Sequence, residues 1–436
     1  MAGLTAELKA KGVRYVRFLW CDNANVMRAR VVPIDFLKDV YHRGVGISFA
    51  QQAVPVYRDA FVAESGLGPV GEARLVGDWS TLVHLPHAAG HTRVIGNMMY
   101  HGEPWAHCPR AFLQKMVDRA KEQGLELQAA FENEFYLLTE TEEGLEPADE
   151  SLYCCVHSLN RHLEAITAMV EALEDQGLRV TQFHPESGGG QVEISVHHAD
   201  PMAAADQQIT FRETIHAVAH QHKMVATFLP KPFSDRAGSG CHLHMSLWKD
   251  GENISDPKHP ESSAFMAGVL KHLPALMGIT TPINNSYARL GRHLWSGAFD
   301  CWGYDNREAA LRLPTTPSGV NNFELKTVDA TANPYLALGA VIAAGLDGMK
   351  SKLKFSEGLD VDPGLLSDSD RKSKKIKELP TELSKSLDAL DKSKLLKEAM
   401  GEDLHRSYMS VKREELRSAL ELDTVEEEVT LLLQRF

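Results

Sequence analysis

The sequence predicts an α+β protein of two domains, residues 1–107 and 108–436. Three observations carry that expectation. The chain's 436 residues exceed what one core encloses, because single hydrophobic cores stop growing at about 250–300 residues. The first hundred positions hold short runs of β-branched and aromatic residues, the pattern of a small mixed sheet. Beyond Pro109, stretches with apolar residues at helical spacing are interspersed with further strand-like runs, and no internal repeat is present.

In order, residues 5–12 read as a short helix. Val13–Trp20 is rich in strand formers, Asp22-Asn23-Ala24-Asn25 is a turn, and Val26–Val32 returns as the second strand of a hairpin. A helix is expected over Ile34–Arg43, a glycine-rich loop over Gly44–Ser48, and strands over Arg74–Val76, Thr81–His84 and Arg93–Met98. In the second domain Pro109 opens a helix that Gly124 ends. Leu125–Leu138 reads as a long strand, partly buried on both faces, and Ser158–Gln176 as an amphipathic helix closed by Gly177. Strands Arg179–Pro185 and Gln191–His197 flank Gly188-Gly-Gly190. A helix over Pro201–Gln221, strands over Val225–Leu229 and Cys241–Leu247, and a helix over Glu261–Met277 follow. Ser286–Pro314, rich in Arg, Trp and Gly, reads as functional loops. The remainder is a strand at Asn322–Lys326, a helix over Asn333–Leu353, an exposed charged insertion at Ser367–Lys377, and helices near Glu382–Met400 and Val411–Phe436.

Bulk properties exclude several function classes. The formal net charge of −13 argues against a nucleic-acid surface, and the one basic run is Arg371–Lys377. No apolar run is long enough to span a bilayer and no signal-peptide core opens the chain, so no membrane role is expected. Cys21, Cys108, Cys154, Cys155, Cys241 and Cys301 show neither a paired framework nor zinc spacing, which points to a reducing cytoplasm.

Chemistry concentrates where polar residues recur two apart in apolar surroundings. Ala237-Gly-Ser-Gly-Cys-His-Leu-His-Met-Ser246 puts His242 and His244 on one strand face, with Gly238 and Gly240 free to turn sharply and to approach a bound group. Glu132 and Glu134 share a strand face in the same way, and two buried carboxylates side by side call for a cation between them. Alone, that pair also fits the solvated face of an exposed edge strand, the commoner case. Glu186, Glu193 and Glu324 change the balance, because oxygen donors in such number suit a hard divalent ion. Arg289, Arg292, Arg307, Arg312 and Lys326 cluster around loop-like sequence and match phosphate or carboxylate oxygens, although most arginines make surface ion pairs. Metals with arginines are what phosphoryl transfer needs. No Walker loop, kinase signature or dinucleotide fingerprint is present.

The ordered set Phe131-Glu-Asn-Glu, Gly190-Gln-Val-Glu193, Pro230-Lys-Pro232, Gly238-Ser-Gly-Cys-His-Leu-His244, Asn285-Ser-Tyr-x-Arg-Leu290, Asn306-Arg307, Arg312-Leu-Pro314 and Glu324…Ala332-Asn-Pro-Tyr335 resembles the glutamine synthetase superfamily. The resemblance implies an N-terminal β-grasp domain and a catalytic domain built as an antiparallel half-barrel flanked by helices. It implies a homo-oligomer of stacked rings, a dodecamer or similar, with each active site shared with a neighbour's N-terminal domain. By motif, Glu134, Glu186 and Glu193 resemble the ligands of one Mg²⁺ or Mn²⁺, and Glu132, His242 and Glu324 those of a second. His244 and Ser246 resemble nucleotide contacts, Arg307 and Arg312 phosphate clamps. Arg289 and Gly238 resemble contacts to glutamate. The family reaction makes a γ-glutamyl phosphate from glutamate and ATP, which an amine then attacks.

The departures bear on the acceptor. By gapless count from Arg289, the family's flap glutamate falls on Trp295, and an N-terminal loop that usually carries an aspartate reads Val45-Gly-Ile-Ser48. Two acids that would attract ammonium are thus replaced by apolar groups, which disfavours a small cation and suits a carbon-bearing amine. Trp302 and Phe299 are expected to join that wall. Ala237 stands for an asparagine, and Lys326 for an arginine, keeping the charge without the fork. No lysine lies between Arg312 and Glu324, where one often meets the nucleotide. The expectation is an ATP-dependent glutamate–amine ligase for an aliphatic or aromatic amine, with Arg289, Arg307 and Lys326 in the catalytic set. The alternatives are a true glutamine synthetase and a non-catalytic ring-forming relative.

Overall fold

The computed structural model describes residues 2–142 and 144–436. In the N-terminal part, strands β1 (Tyr15–Cys21) and β2 (Met27–Pro33) form the expected hairpin. Its turn is set by Asp22, which accepts from the Ala24 and Val26 amides, each at 2.9 Å, and from Arg28 Nε at 2.6 Å. Strands β3 (Val45–Ser48), β4 (Glu72–His84) and β5 (His91–Tyr100) complete a mixed sheet ordered β2-β1-β5-β4-β3, in which β1 runs parallel to β5. Three expectations change here. The Gly44–Ser48 segment is not a loop, since Val45–Ser48 pairs with β4. The helix over Ile34–Arg43 shrinks to a 3₁₀ turn at Ile34–Phe36 and a short helix at Leu37–Val40. The strands expected at Arg74–Val76 and Thr81–His84 are one strand with a register irregularity between Asp78 and Val83.

The main path of the larger sheet runs through β6 (Glu126–Thr141), β7 (Val180–Pro185), β8 (Gln191–Val196), β9 (Cys241–Lys249), β10 (Phe299–Tyr304), β11 (Ala309–Leu313) and β12 (Phe323–Leu325), with three short strands paired to its side. Its order is β10-β11-β12-β9-β6-β8-β7, antiparallel throughout except for the pair β10–β11. The strands β10 and β11 overturn the reading of Ser286–Pro314 as loops; the arginine-rich sequence hid two short runs, Phe299–Tyr304 and Ala309–Leu313. Four helices back the sheet, Pro109–Glu122, Pro201–Gln221, Pro260–Thr280 and Pro334–Lys350. Each starts on a proline, whose fixed φ suits the first turn and whose missing N–H is no loss there. Period-two alternation sorts β6 into two faces. Phe131 and Phe135 join the helix-side core, and buried Asn133 exchanges two hydrogen bonds with Gln208 of the Pro201–Gln221 helix, at 2.8 and 2.7 Å. Glu132 and Glu134 therefore face the other way.

The remaining boundaries shift for local reasons. The helix expected over Ser158–Gln176 breaks at His162 into Val156–Arg161 and Leu163–Glu174. The closing helices are four, Leu383–Lys392, Lys394–Met400, Glu402–Leu420 and Val425–Leu432. Ser367–Lys377 is not simply an exposed insertion: Arg371 is buried and lies over the Phe299 ring. Between the two sheets, buried Arg110 bridges Asp206 at 2.8 Å and Asp78 at 2.9 Å. The fully buried pair Lys412–Glu415, 2.8 Å apart, ties the Glu402–Leu420 helix to the N-terminal part, because Glu415 also accepts from the Val56 amide.

Candidate active site

Register places the acids and imidazoles on successive rungs of one face of the larger sheet. Arg312 of β11 lies opposite Glu324 of β12, Glu324 opposite His244 of β9, and His242 opposite Glu132 of β6. Glu134 lies opposite Glu193 of β8, and Glu193 opposite His184 of β7. Since facing residues on antiparallel strands point to the same side, that face becomes a polar wall. It lines a cavity of about 660 Å³ whose boundary includes Glu132, Glu134, Glu186, Glu193 and His242.

Two clusters stand out along this wall. In one, His242 Nδ1 lies 3.0 Å from Glu132 and 3.2 Å from Glu324. Glu324 is also held by Lys326 at 3.0 Å and Arg312 at 2.9 Å. Burial disfavours its charge, but Lys326 and then His242 and His244 keep its carboxyl ionised, with a pKa of about 2. In the other, His184 Nε2 is 3.1 Å from Glu186, and its Nδ1 is 3.9 Å from Glu193. Here the acids outweigh the bases. Burial, then repulsion from Glu132 and Glu134, pushes Glu193 up to about 8. Burial likewise raises Glu134, with Glu186 adding to the effect. A divalent ion would relieve that crowding, and within each cluster the donor atoms approach one another within 4.8 Å. The donor set therefore fits a cation on charge as well as on geometry.

The sequence missed His184. It sits two residues before Glu186, the spacing that picked out Gln191-Val-Glu193, so the signal was present. Glu134, expected beside Glu186 and Glu193, stands between the clusters. It accepts from the Gly240 amide at 2.7 Å and lies 3.8 Å from His242 Nε2. Gly238 and Gly240 do not turn the chain with positive φ. They are needed for closeness: a Cβ on Gly238 would sit 2.5 Å from Arg289 Cγ, and one on Gly240 2.5 Å from His242 Nε2.

The cations meet the same cavity. Arg289, Arg307, Arg312 and Lys326 all line it, as does Gly238. Arg289 is buried and spends its Nη2 on the carbonyls of Lys326, Thr327 and Val328, at 3.2, 2.8 and 3.1 Å. Its Nε is a buried donor without a protein partner, as is Arg312 Nε. Trp295 is 56% exposed at the mouth, with Arg307 over its ring at 5.5 Å; such a pair contributes about 0.5–1 kcal/mol at an exposed site. Trp302 and Phe299 do not join this wall. Trp302 stacks on Phe355 at 4.4 Å, and Phe299 lies beneath Arg292 and Arg371. Val45 belongs to β3 and does not line the cavity of its own chain. His244 and Ser246 face a second cavity, about 570 Å³, whose lining includes Glu132, Trp248 and Asn322. His244 Nδ1 is 3.0 Å from Asn322 Oδ1, and its Nε2 is 3.4 Å from Glu132.

Residues 1–105 match the model of the glutamine synthetase N-terminal domain, and residues 106–430 that of the glutamine synthetase catalytic domain. The chain belongs to the glutamine synthetase family. It is accordingly a glutamine synthetase-like, ATP-dependent C–N ligase, and its α+β architecture is that of the family. Relatives in this family include the type-1 glutamine synthetase 1 of Dictyostelium discoideum, 31% identical, covering 99% of this chain and 91% of that one. The gamma-glutamylpolyamine synthetase GlnA3 of Streptomyces coelicolor is 34% identical, covering 96% of this chain and 93% of that one. Among solved structures, a GmaS–ADP complex superposes with a TM-score of 0.87 at 27% identity, covering 99% of this chain and 100% of that one. A glutamine synthase homologue does so at 0.85 and 31% identity, covering 97% and 99%. Enzymes of this family use ATP and a divalent metal. No helix among the described residues is long and apolar enough to cross a membrane.

Proposed function

We propose that this ligase joins the γ-carboxylate of glutamate to an organic amine in preference to ammonium. The observation that carries the reading is Trp295, which stands with Leu294 and Arg307 at the mouth of the acid-lined cavity. An indole there gives an incoming ammonium ion no carboxylate, while it offers a carbon-bearing amine apolar contact. The existence of a relative named for γ-glutamylpolyamine synthesis supports an amine acceptor within the family.

In this reading Glu132, His242 and Glu324 would hold one ion, and Glu134, Glu186 and Glu193, joined by His184, a second. Mg²⁺ or Mn²⁺ is the expected occupant, and the pair offsets phosphate charge when bound. ATP enters by the second cavity, along His244 and Ser246. Arg307 and Arg312 compensate the charge of the transferring phosphoryl group. Gly238 and Arg289 receive glutamate, and Lys326 stands beside Glu324 as a fixed positive charge. A γ-carboxylate oxygen attacks the γ-phosphorus and ADP leaves. The amine nitrogen then attacks the acyl carbon, phosphate departs with its bonding pair, and a proton is lost from nitrogen. A weakly basic amine, already neutral at pH 7, needs no base before attack.

The domain division at residue 107, a ring-shaped homo-oligomer in which a neighbour's Val45 reaches the cavity, and a cytoplasmic location complete the proposal. Phosphate release measured with glutamate, ATP, Mg²⁺ and a panel of amines tests it. The expected result is faster turnover with an organic amine than with ammonium. Highest rates with ammonium, and none with larger amines, would instead favour glutamine synthesis, the activity named for the Dictyostelium relative.

A further inference from the structure

The loop Gly291–Gly297, which carries Trp295, is held from outside the catalytic sheet. His293 and Trp295 both adopt positive φ, 60° and 56°. Residues with a Cβ keep that conformation only where their surroundings impose it. Glu308 accepts from the Trp295 amide at 3.0 Å, and the segment 358–378 holds the residues before it. Asp362 is hydrogen-bonded to His293 Nδ1 at 2.8 Å, while its other oxygen accepts from the Gly364 amide at 2.6 Å. Glu378 accepts from Arg292 Nε and Nη2 at 3.3 and 3.2 Å. The guanidinium groups of Arg292 and Arg371 both lie over the Phe299 ring, at 5.4 and 5.3 Å. The same segment grips the partner of Trp295. Asn306, the residue before Arg307, donates to the carbonyls of Leu359 and Val361 at 2.9 and 3.0 Å. Both halves of the Trp295–Arg307 pair therefore hang from one strap.

We propose that Asp362 and Glu378 are positioning residues for the acceptor: through His293 and Arg292 they hold the indole–guanidinium wall in place and so set which amine is taken. The proposal rests on the ligase reading above. Neither carboxylate lines the cavity, so neither touches substrate. The strap meets the catalytic sheet at β10, through Asp300 and Trp302, whereas the acids and the second cavity are carried chiefly by β6, β8, β9 and β12.

The test uses the full-length protein with Asp362→Ala, Glu378→Gln and the two combined. Asp362→Asn, which keeps an acceptor for the Gly364 amide, serves if the alanine variant does not fold. Hydrogen exchange at residues 291–297 is expected to quicken by about tenfold or more, with the Pro334–Lys350 helix unchanged. The acceptor KM should rise by about tenfold, and the preference for organic amine over ammonium should narrow, while KM for ATP and glutamate stays within about twofold. Unchanged exchange in the loop would overturn the proposal. So would faster exchange with an unchanged amine preference, or an equal fall in kcat with every acceptor. A wild-type protein that transfers to no acceptor overturns the ligase reading and this proposal together, and is seen before any variant is made.

Discussion

Binding of a divalent ion at the His184–Glu186–Glu193 cluster should expel a proton, and the structure sets how many and at which pH. Without the ion, Glu193 is held up at about 8 by burial and by the neighbouring carboxylates. A carboxyl must ionise before it can ligate. Above pH 8 Glu193 is already ionised and contributes no proton; His184, raised by its hydrogen bond to Glu186, contributes separately. Below pH 8 the ion must displace a proton from Glu193, so affinity falls as pH falls, by about tenfold at pH 7 and about a hundredfold at pH 6 relative to the ionised carboxylate. Glu193→Gln removes the titrating group. It should bind the ion more weakly, and the slope between pH 6 and pH 8 should flatten. Calorimetric titration with Mn²⁺ at pH 7, in two buffers of different ionisation enthalpy, counts the protons directly; close to one per ion is expected from Glu193. A count near zero, with equal affinity at pH 6 and pH 8, would refute the reasoning, because the acid cluster would then be ionised without help.

Trp295→Glu should lower the KM for ammonium and weaken use of larger amines. Arg307, 5.5 Å from the ring it replaces, will pair with part of the new charge, so a gain of about tenfold is the scale; an unchanged amine preference would remove Trp295 from the acceptor wall. Gly238→Ala puts a Cβ 2.5 Å from Arg289 Cγ and 2.9 Å from the Pro230 carbonyl. Glutamate-dependent turnover should drop by about a hundredfold while calorimetry still finds nucleotide binding, since a displacement of about 1 Å is costly at a reacting centre. Lys412→Met strands Glu415 in the core. The loss should be about 3–5 kcal/mol in thermal or urea unfolding, and adding Glu415→Gln should recover much of it.

How far the sequence could be read depended on whether a residue's neighbours lay along the chain or across it. Alternation within Phe131–Phe135 and Cys241–Met245 exposed the polar face of each strand, and Pro109 and Pro201 marked helix starts correctly. The gathering of acids and imidazoles across the sheet needed register, which no single strand contains. His184 stands two residues before Glu186, but its cross-strand partner, Glu193, comes from β8, and only that pairing shows it to belong to the acid cluster. Val45–Ser48 reads as loop in the sequence because Gly44 and Gly46 dilute a four-residue strand whose pairing with β4 is what makes it one. Phe299 and Trp302 looked like neighbours of Trp295 in sequence. The pleat and the strap turn them toward Arg371 and Phe355 instead. Ser367–Lys377 looked solvated because its charges are dense, yet an aromatic face can bury one guanidinium among them.

Glu132 borders both hollows, the acid-lined one and the one beyond His244. Its two oxygens look in different directions, Oε1 to His242 and Oε2 to His244. A charge arriving on either side therefore changes the field felt on the other through a single shared group. Linkage makes that influence mutual: whatever factor the cation adds to nucleotide affinity, the nucleotide returns to the cation. Loading order can then be free while the fully loaded state is favoured, so cooperativity between the two ligands needs no moving part.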